Sequence, residues 1–109
     1  MRRKLRDIAP RILVDNEIGL VQDFSESDRH EAVVLLFAMK EAIYKAIDPY
    51  VRRHVRFQEV EIRTEHSLNR EIGHADVVMH LPEFGIVRPS VSVHWWKSDR
   101  HLFAIAESR

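Results

Sequence analysis

The chain has 109 residues, no cysteine, and 17 Lys plus Arg against 17 Asp plus Glu, which gives a formal net charge of zero. This length suits one compact domain, so we expect residues 1–109 to form a single domain. A neutral chain offers no overall attraction to nucleic acid, and a nucleic-acid partner is not expected. The lack of cysteine excludes disulfides and thiolate metal sites and fits a cytoplasmic protein. The longest apolar run, 32–39, is far too short for a bilayer, so no transmembrane segment is predicted.

The first predicted elements are a basic leader and one long helix. Residues 1–14 could form a short helix or an arm that packs on another element, but the favoured interpretation is a solvated leader. Asp28 is the expected N-cap of the helix, because Glu31 three residues later completes a capping-box pattern. Pro49 disfavours helical geometry at Asp48, so the helix should end there. Between these ends, apolar residues recur at helical spacing and predict one buried stripe of Leu36, Met39, Ile43, Ala46 and Ile47.

The second half of the chain shows the alternation of strands that have one buried face. Four strands are predicted, containing Val60 and Ile62, then Ala75 to Leu81, then Val91 to Trp95, then Leu102 to Ala106. Val55 and Phe57 are out of phase with the first strand, which requires a bulge or bend near 58–59. Residues 97–100 should join the last two strands as a tight hairpin. The predicted fold class is therefore α+β, with one long helix packed on a mostly antiparallel sheet.

Two charged residues of the helix have a spacing that allows them to meet on one face. Glu41 and Lys45 are four residues apart, with the acid on the N-terminal side. By spacing alone, the favoured interpretation is an ordinary surface ion pair that contributes about 0.2 to 0.5 kcal/mol. A chemical role for these residues therefore needs support from more than their spacing.

The sequence around this pair resembles a known signature. Residues 37–46, Phe-Ala-Met-Lys-Glu-Ala-Ile-Tyr-Lys-Ala, are similar to the W/F-x-x-K-E-A/S-x-x-K motif of 4'-phosphopantetheinyl transferases. Weaker likeness lies in Ile8-Ala9-Pro10 before the acidic residues 15–17, in Phe57 to Ile62, and in Trp95-Trp96-Lys97-Ser98-Asp99. These segments resemble the enterobactin-synthase, siderophore-associated type. The chain as a whole resembles the C-terminal part of such an enzyme.

The resemblance implies a reaction and a set of site residues. The reaction is Mg²⁺-dependent transfer of 4'-phosphopantetheine from coenzyme A to a serine of an acyl or peptidyl carrier protein, in siderophore biosynthesis. Glu41 is implied as the magnesium ligand and a catalytic residue, and Lys45 as a catalytic residue that contacts the coenzyme A phosphates. These types suit the task, because Mg²⁺ prefers oxygen ligands and lysine offsets phosphate charge. Whether Glu41 also acts as the base for the serine stays open.

Lys40 also matches the signature and is implied as a further coenzyme A contact. Its position beside the apolar stripe fits equally well with a structural side chain whose methylenes pack and whose amine extends to solvent. Both interpretations of Lys40 therefore stay open.

The sequence departs from the family in one respect. The family has a G-x-D-x-E stretch whose acids complete the magnesium site, whereas Asp15-Asn16-Glu17 lacks the glycine and lies too close to Glu41. We expect an N-terminal half with that stretch to be missing, and the chain to be inactive alone unless a second like domain completes the site. The related short acyl-carrier synthases are single-domain trimers with sites at subunit interfaces, so an oligomeric solution is conceivable. It is not favoured, because Asp48-Pro49-Tyr50 replaces their glycine-containing turn and their N-terminal aspartate is absent.

Two further interpretations concern partners. The alternative function is a non-catalytic module of the same fold that binds or scaffolds carrier proteins. A basic cluster, Arg52, Arg53, His54 and Arg56, is expected to be a solvated turn, with contact to an acidic carrier protein as the second interpretation. The seven histidines show no helical spacing typical of a zinc site.

Overall fold

The computed structural model describes residues 13–48, 55–80, 91–99 and 101–108. Two helices, α1 and α2, are followed by a short 3-10 helix and four strands, β1 to β4. Their bounds are Asp15–Val21 and Glu26–Ile47 for the helices, Phe57–Glu59 for the 3-10 helix, and Val60–Arg63, Ile72–Met79, Val91–Ser98 and His101–Ser108 for the strands. The predicted α+β class is confirmed. The Ile8-Ala9-Pro10 segment, the cluster residues 52–54 and Leu81 lie outside the described residues.

The four strands form one antiparallel sheet in the order β1-β2-β3-β4. Ser98 pairs with His101, and Asp99 between them has a positive φ of 52°. Such left-handed geometry is typical of two-residue hairpin loops, which confirms the predicted hairpin. The predicted change of phase before β1 occurs through the 3-10 helix rather than through a bulge.

Helix α2 begins earlier than the sequence pattern predicted. The Ser25 hydroxyl accepts a hydrogen bond from the Asp28 amide at 3.3 Å, and the helix starts at Glu26. The prediction of Asp28 as the N-cap is therefore wrong, because Ser25 has the side chain that reaches an unpaired amide of the first turn. The other end agrees with the prediction, since the last helical residue is Ile47 and Asp48 is the C-cap.

The core lies between α2 and the inner face of the sheet. The predicted stripe is confirmed at its main positions, because Leu36, Met39, Ile43 and Ile47 are all at most 1% exposed, whereas Ala46 is only partly buried. The sheet contributes buried Ala75, Val93 and Trp95 from alternate positions of β2 and β3. Helix α1 was not predicted, and Leu13 just before it is also buried, so the prediction of a solvated leader is wrong at that residue. Among the described residues, neither α1 nor α2 combines the length and apolarity needed to cross a membrane.

A nearly buried carboxylate connects α1 to the first strand. Glu61 of β1 accepts hydrogen bonds from Asn16 Nδ2 at 2.8 Å and Arg63 Nε at 2.7 Å, and its other oxygen lies 3.1 Å from His80 Nε2. The hydrogen bonds from Arg63 and Asn16 outweigh the opposing effect of burial and lower the pKa of Glu61 from 4.5 to about 2. The ionised form of Glu61 is therefore the form that the fold stabilises.

This network predicts a specific sensitivity to acid. Because the folded pKa of Glu61 lies below its unfolded value, its contribution is complete above about pH 5 and is lost as the pH falls toward 2. Replacing Glu61→Gln should lower the free energy of unfolding at pH 7 by about 1 to 2 kcal/mol, since Arg63 and His80 are exposed and screened. The variant should also flatten the pH dependence below pH 5, measured by urea denaturation. Glu65→Gln, an exposed change, is the control, and an unchanged slope in Glu61→Gln would refute the assignment.

Candidate active site

An open groove of about 630 Å³ lies between α2 and the edge strand β4. Its floor on the helix side is made of small residues, Ala38, Ala42 and Ala46, and the strand side is formed by residues 102–106. Because alanine side chains are short, they leave space between the helix and the strand. Glu41 and Lys45 are the polar side chains among the lining residues. The structure therefore places both members of the predicted pair in one cleft.

Neither of these two side chains forms a hydrogen bond or an ion pair with another described residue. Glu41 and Lys45 are exposed, and no hydrogen bond or ion pair joins them to each other or to another described residue. The surface ion pair favoured by their spacing is therefore absent. A carboxylate and an ammonium group one helical turn apart, both unpaired, are available to an anionic ligand and its counter-ion.

Lys40 is placed differently from the other two signature residues. Its side chain is 0% exposed, and Nζ lies 2.7 Å from Glu17 Oε1 and donates to the carbonyl of Phe57 at 2.8 Å. The interpretation in which its amine extends to solvent is wrong, because the buried Glu17 carboxylate and the Phe57 carbonyl hold the ammonium inside. Burial lowers the pKa of Lys40, and the neighbouring Glu17 opposes that change. Lys40 does not line the groove, and its contact with coenzyme A stays a prediction.

Glu17 is a structural residue that the sequence interpretation missed. Its carboxylate is fully buried and accepts hydrogen bonds from the amides of Val14 at 3.0 Å and Ile62 at 2.7 Å, besides pairing with Lys40. It therefore connects α1, α2 and β1 at one point. The available signal was Lys40 itself, because a lysine on the buried side of a helix requires an anionic partner.

Aromatic packing fixes the side of α2 next to the groove. The Phe57 ring lies 5.4 Å from the rings of both Phe37 and Tyr44, centroid to centroid. The Lys40 ammonium donates a hydrogen bond to the Phe57 carbonyl. Aromatic packing and this charge-assisted hydrogen bond together hold the 3-10 helix against α2. This arrangement gives Phe37 and Tyr44 a packing role against the 3-10 helix.

The described residues contain no group of three or more His, Cys, Asp or Glu side chains placed to hold a metal ion. Mg²⁺ usually combines one or two protein carboxylates with substrate phosphates and water. Glu41 fits as one such carboxylate, because it is exposed, unpaired and beside a groove. Three histidines do approach one another, with ring centroids 4.5 Å apart for His66 and His74 and 5.9 Å for His74 and His94, but they do not form such a group.

Comparisons with known proteins agree with the resemblance of residues 37–46 to the 4'-phosphopantetheinyl transferase motif. A sequence model of the 4'-phosphopantetheinyl transferase superfamily matches residues 1–106. A holo-[acyl-carrier-protein] synthase of Bacillus subtilis (strain 168) is 33% identical over 67 residues, which cover 62% of this chain and 55% of the relative. The match thus spans little more than half of the relative's length. No solved structure gives a significant match. Because the family match extends over nearly the whole chain and includes Glu41 and Lys45, the protein belongs to the 4'-phosphopantetheinyl transferase superfamily.

Proposed function

We propose that this chain transfers 4'-phosphopantetheine from coenzyme A to a serine of a carrier protein, using the groove between α2 and β4. The observation that carries the proposal is that Glu41 and Lys45, the unpaired charged residues of the family signature, line the same open cleft. The family match and the name of the Bacillus relative support the same reaction.

The proposed chemistry gives each of the two residues a separate role. The carrier serine oxygen attacks the phosphorus that bears the pantetheine arm. A new phosphorus–oxygen bond forms, and adenosine 3',5'-bisphosphate leaves as the old one breaks. Lys45 pairs with the phosphate oxygens and offsets their charge during attack. Glu41 holds a magnesium ion, which supplies further charge neutralisation when bound. The group that accepts the serine proton is either Glu41 or a water beside it.

We further propose that a second like domain or subunit completes the site. This proposal rests on the donor set, because Glu41 is a single carboxylate and Mg²⁺ sites of this kind commonly use two. The enterobactin-synthase-type resemblance favours a peptidyl carrier of siderophore biosynthesis, whereas the name of the relative points to an acyl carrier protein. A cytoplasmic location is proposed with this function, because the sequence contains no cysteine.

Mass spectrometry of the carrier protein tests the proposed function. The 109-residue chain is incubated with coenzyme A, Mg²⁺ and either an apo acyl carrier protein or an apo peptidyl carrier protein. If a second copy of the chain is the subunit that completes the site, one carrier should gain the phosphopantetheine mass, and EDTA should abolish the gain. If a different domain is needed, the gain should occur only after that domain is added. A gain that is equal with and without EDTA would disprove the magnesium requirement.

The alternative, a non-catalytic module that binds carrier proteins, is favoured by the same single carboxylate. In that case the chain should bind an apo carrier protein without changing its mass and should show no affinity for coenzyme A. Calorimetric titration with each partner separates the two functions, because Mg²⁺-dependent coenzyme A binding is expected only of the enzyme.

A further inference from the structure

The hydroxyl of Tyr44 is a buried polar group that the proposed chemistry does not yet use. Its oxygen is shielded from solvent and has no hydrogen-bond partner in the described part of the chain. Buried hydroxyls are nearly always paired in folded proteins, and leaving one unpaired disfavours folding. A tyrosine in this position is therefore costly unless the hydroxyl finds a partner in another state of the protein.

The surroundings of Tyr44 indicate which partner that is. Burial and the nearby charges of Glu41, Glu59 and Glu17 raise the pKa of Tyr44, so its hydroxyl remains protonated and can donate. Glu17 is already bound to Lys40 and to two backbone amides, and Glu59 accepts from the Arg56 amide at 3.0 Å. Glu41 is the acid of the three that has no bonded partner among the described residues.

The helix geometry makes contact between Tyr44 and Glu41 feasible. The two residues are three apart in α2, which makes them neighbours on its surface, and helical side chains lean toward the N-terminus. The Tyr44 ring packs against the Phe57 ring, at 5.4 Å between centroids. Because Glu41 is exposed, its side chain is free to turn toward a fixed tyrosine.

We propose that Tyr44 is a positioning residue for Glu41, whose carboxylate accepts a hydrogen bond from the Tyr44 hydroxyl when coenzyme A and Mg²⁺ occupy the groove. One carboxylate oxygen is then fixed by Tyr44, and the other is directed to the cation. This inference rests on the proposed function. In this arrangement Tyr44 orients the magnesium ligand Glu41 without touching the metal, as residues hydrogen-bonded to metal ligands commonly do.

The test is the substitution Tyr44→Phe, which keeps the ring against Phe57 and removes only the hydroxyl. Coenzyme A is titrated into the full chain by calorimetry at a series of Mg²⁺ concentrations. The Mg²⁺ concentration for half-maximal coenzyme A binding should rise about tenfold, as expected for the loss of a hydrogen bond to a charged group. The melting temperature should stay the same or rise, because the substitution removes an unpaired buried group.

Two further variants identify the acceptor. Tyr44→Phe should have no additional effect in a Glu41→Gln background, because the hydrogen bond requires both groups. Glu59→Gln should leave the Mg²⁺ dependence unchanged. An unaltered Mg²⁺ dependence in Tyr44→Phe, while Glu41→Gln weakens binding, overturns the role of Tyr44 and leaves the proposed function intact. Absence of any Mg²⁺-dependent coenzyme A binding by the unaltered chain overturns both.

Discussion

Replacing Glu41 with glutamine should lower phosphopantetheine transfer by about a hundredfold or more and leave the fold unchanged. Glutamine has nearly the same shape but no negative charge, so it is a poor magnesium ligand, and losses of this size follow removal of one preorganised electrostatic group. Glu41 is exposed and unpaired, so the free energy of unfolding should change by less than about 0.5 kcal/mol. Transfer rates from carrier-protein mass spectra and urea denaturation measure the two effects.

The matched control is Glu26→Gln, the same substitution at an exposed position in the first turn of α2 and away from the groove. It should transfer at the unaltered rate. If the chain needs a second domain for turnover, the Mg²⁺-dependent part of coenzyme A binding provides the same comparison. If the two substitutions changed the transfer rate equally, Glu41 would have no specific role in the site.

Replacing Lys40 with methionine is expected to destabilise the protein by about 3 to 5 kcal/mol. The substitution keeps most of the apolar stem but leaves the buried Glu17 carboxylate without its cationic partner, and breaking a buried ion pair from one side costs about this much. It also removes the hydrogen bond to the Phe57 carbonyl. Small domains have a total free energy of unfolding of only about 5 to 15 kcal/mol, so the Lys40→Met variant should keep only a small part of it. Urea denaturation measures the difference.

A control and a compensating variant make this prediction specific. Lys45→Met, one turn further along α2, removes an exposed and unpaired lysine and should change stability by less than about 0.5 kcal/mol. The double variant Lys40→Met with Glu17→Gln should recover part of the loss, because the buried negative charge is then gone. A Lys40→Met chain as stable as Lys45→Met would contradict a buried ion pair.

The two lysines of the signature therefore differ in what they contact. Lys40 faces inward and holds the 3-10 helix against α2 through the Phe57 carbonyl, whereas Lys45 faces the groove. We expect substitutions at Lys40 to affect activity mainly through stability and through the packing of Phe57 on Tyr44. Substitutions at Lys45 should affect coenzyme A binding with little change in stability.

Local pattern was sufficient to predict most of the fold. The period of α2, the alternation in β1 to β4 and the hairpin at Asp99 each depend on neighbouring residues, and the structure agrees with them. Helix α1 was missed because it is short, and its attachment depends on pairs that are distant in sequence, such as Glu17 with Lys40 and Asn16 with Glu61. The cap at Ser25 was missed because Asp28 offered a second, equally typical capping pattern.

The candidate site was predictable only in part for the same reason. The resemblance to the signature identified Glu41 and Lys45, and helical spacing placed them on one face. The groove itself could not be predicted, because it requires β4 to lie beside the alanines of α2. The inward direction of Lys40 could not be predicted either, because its partners come from α1 and from the segment before β1.

Calorimetric titration of coenzyme A into the chain, with and without Mg²⁺, beside the variants Lys45→Ala and Ala42→Phe, tests most directly whether the groove binds coenzyme A. Ala42 lines the groove, so phenylalanine at that position should fill it. We predict saturable, Mg²⁺-dependent binding to the unaltered chain and a loss of about tenfold or more in affinity in each variant. Binding that both variants retain would show that the groove between α2 and β4 is not the coenzyme A site, and no binding by the unaltered chain would contradict the proposed function.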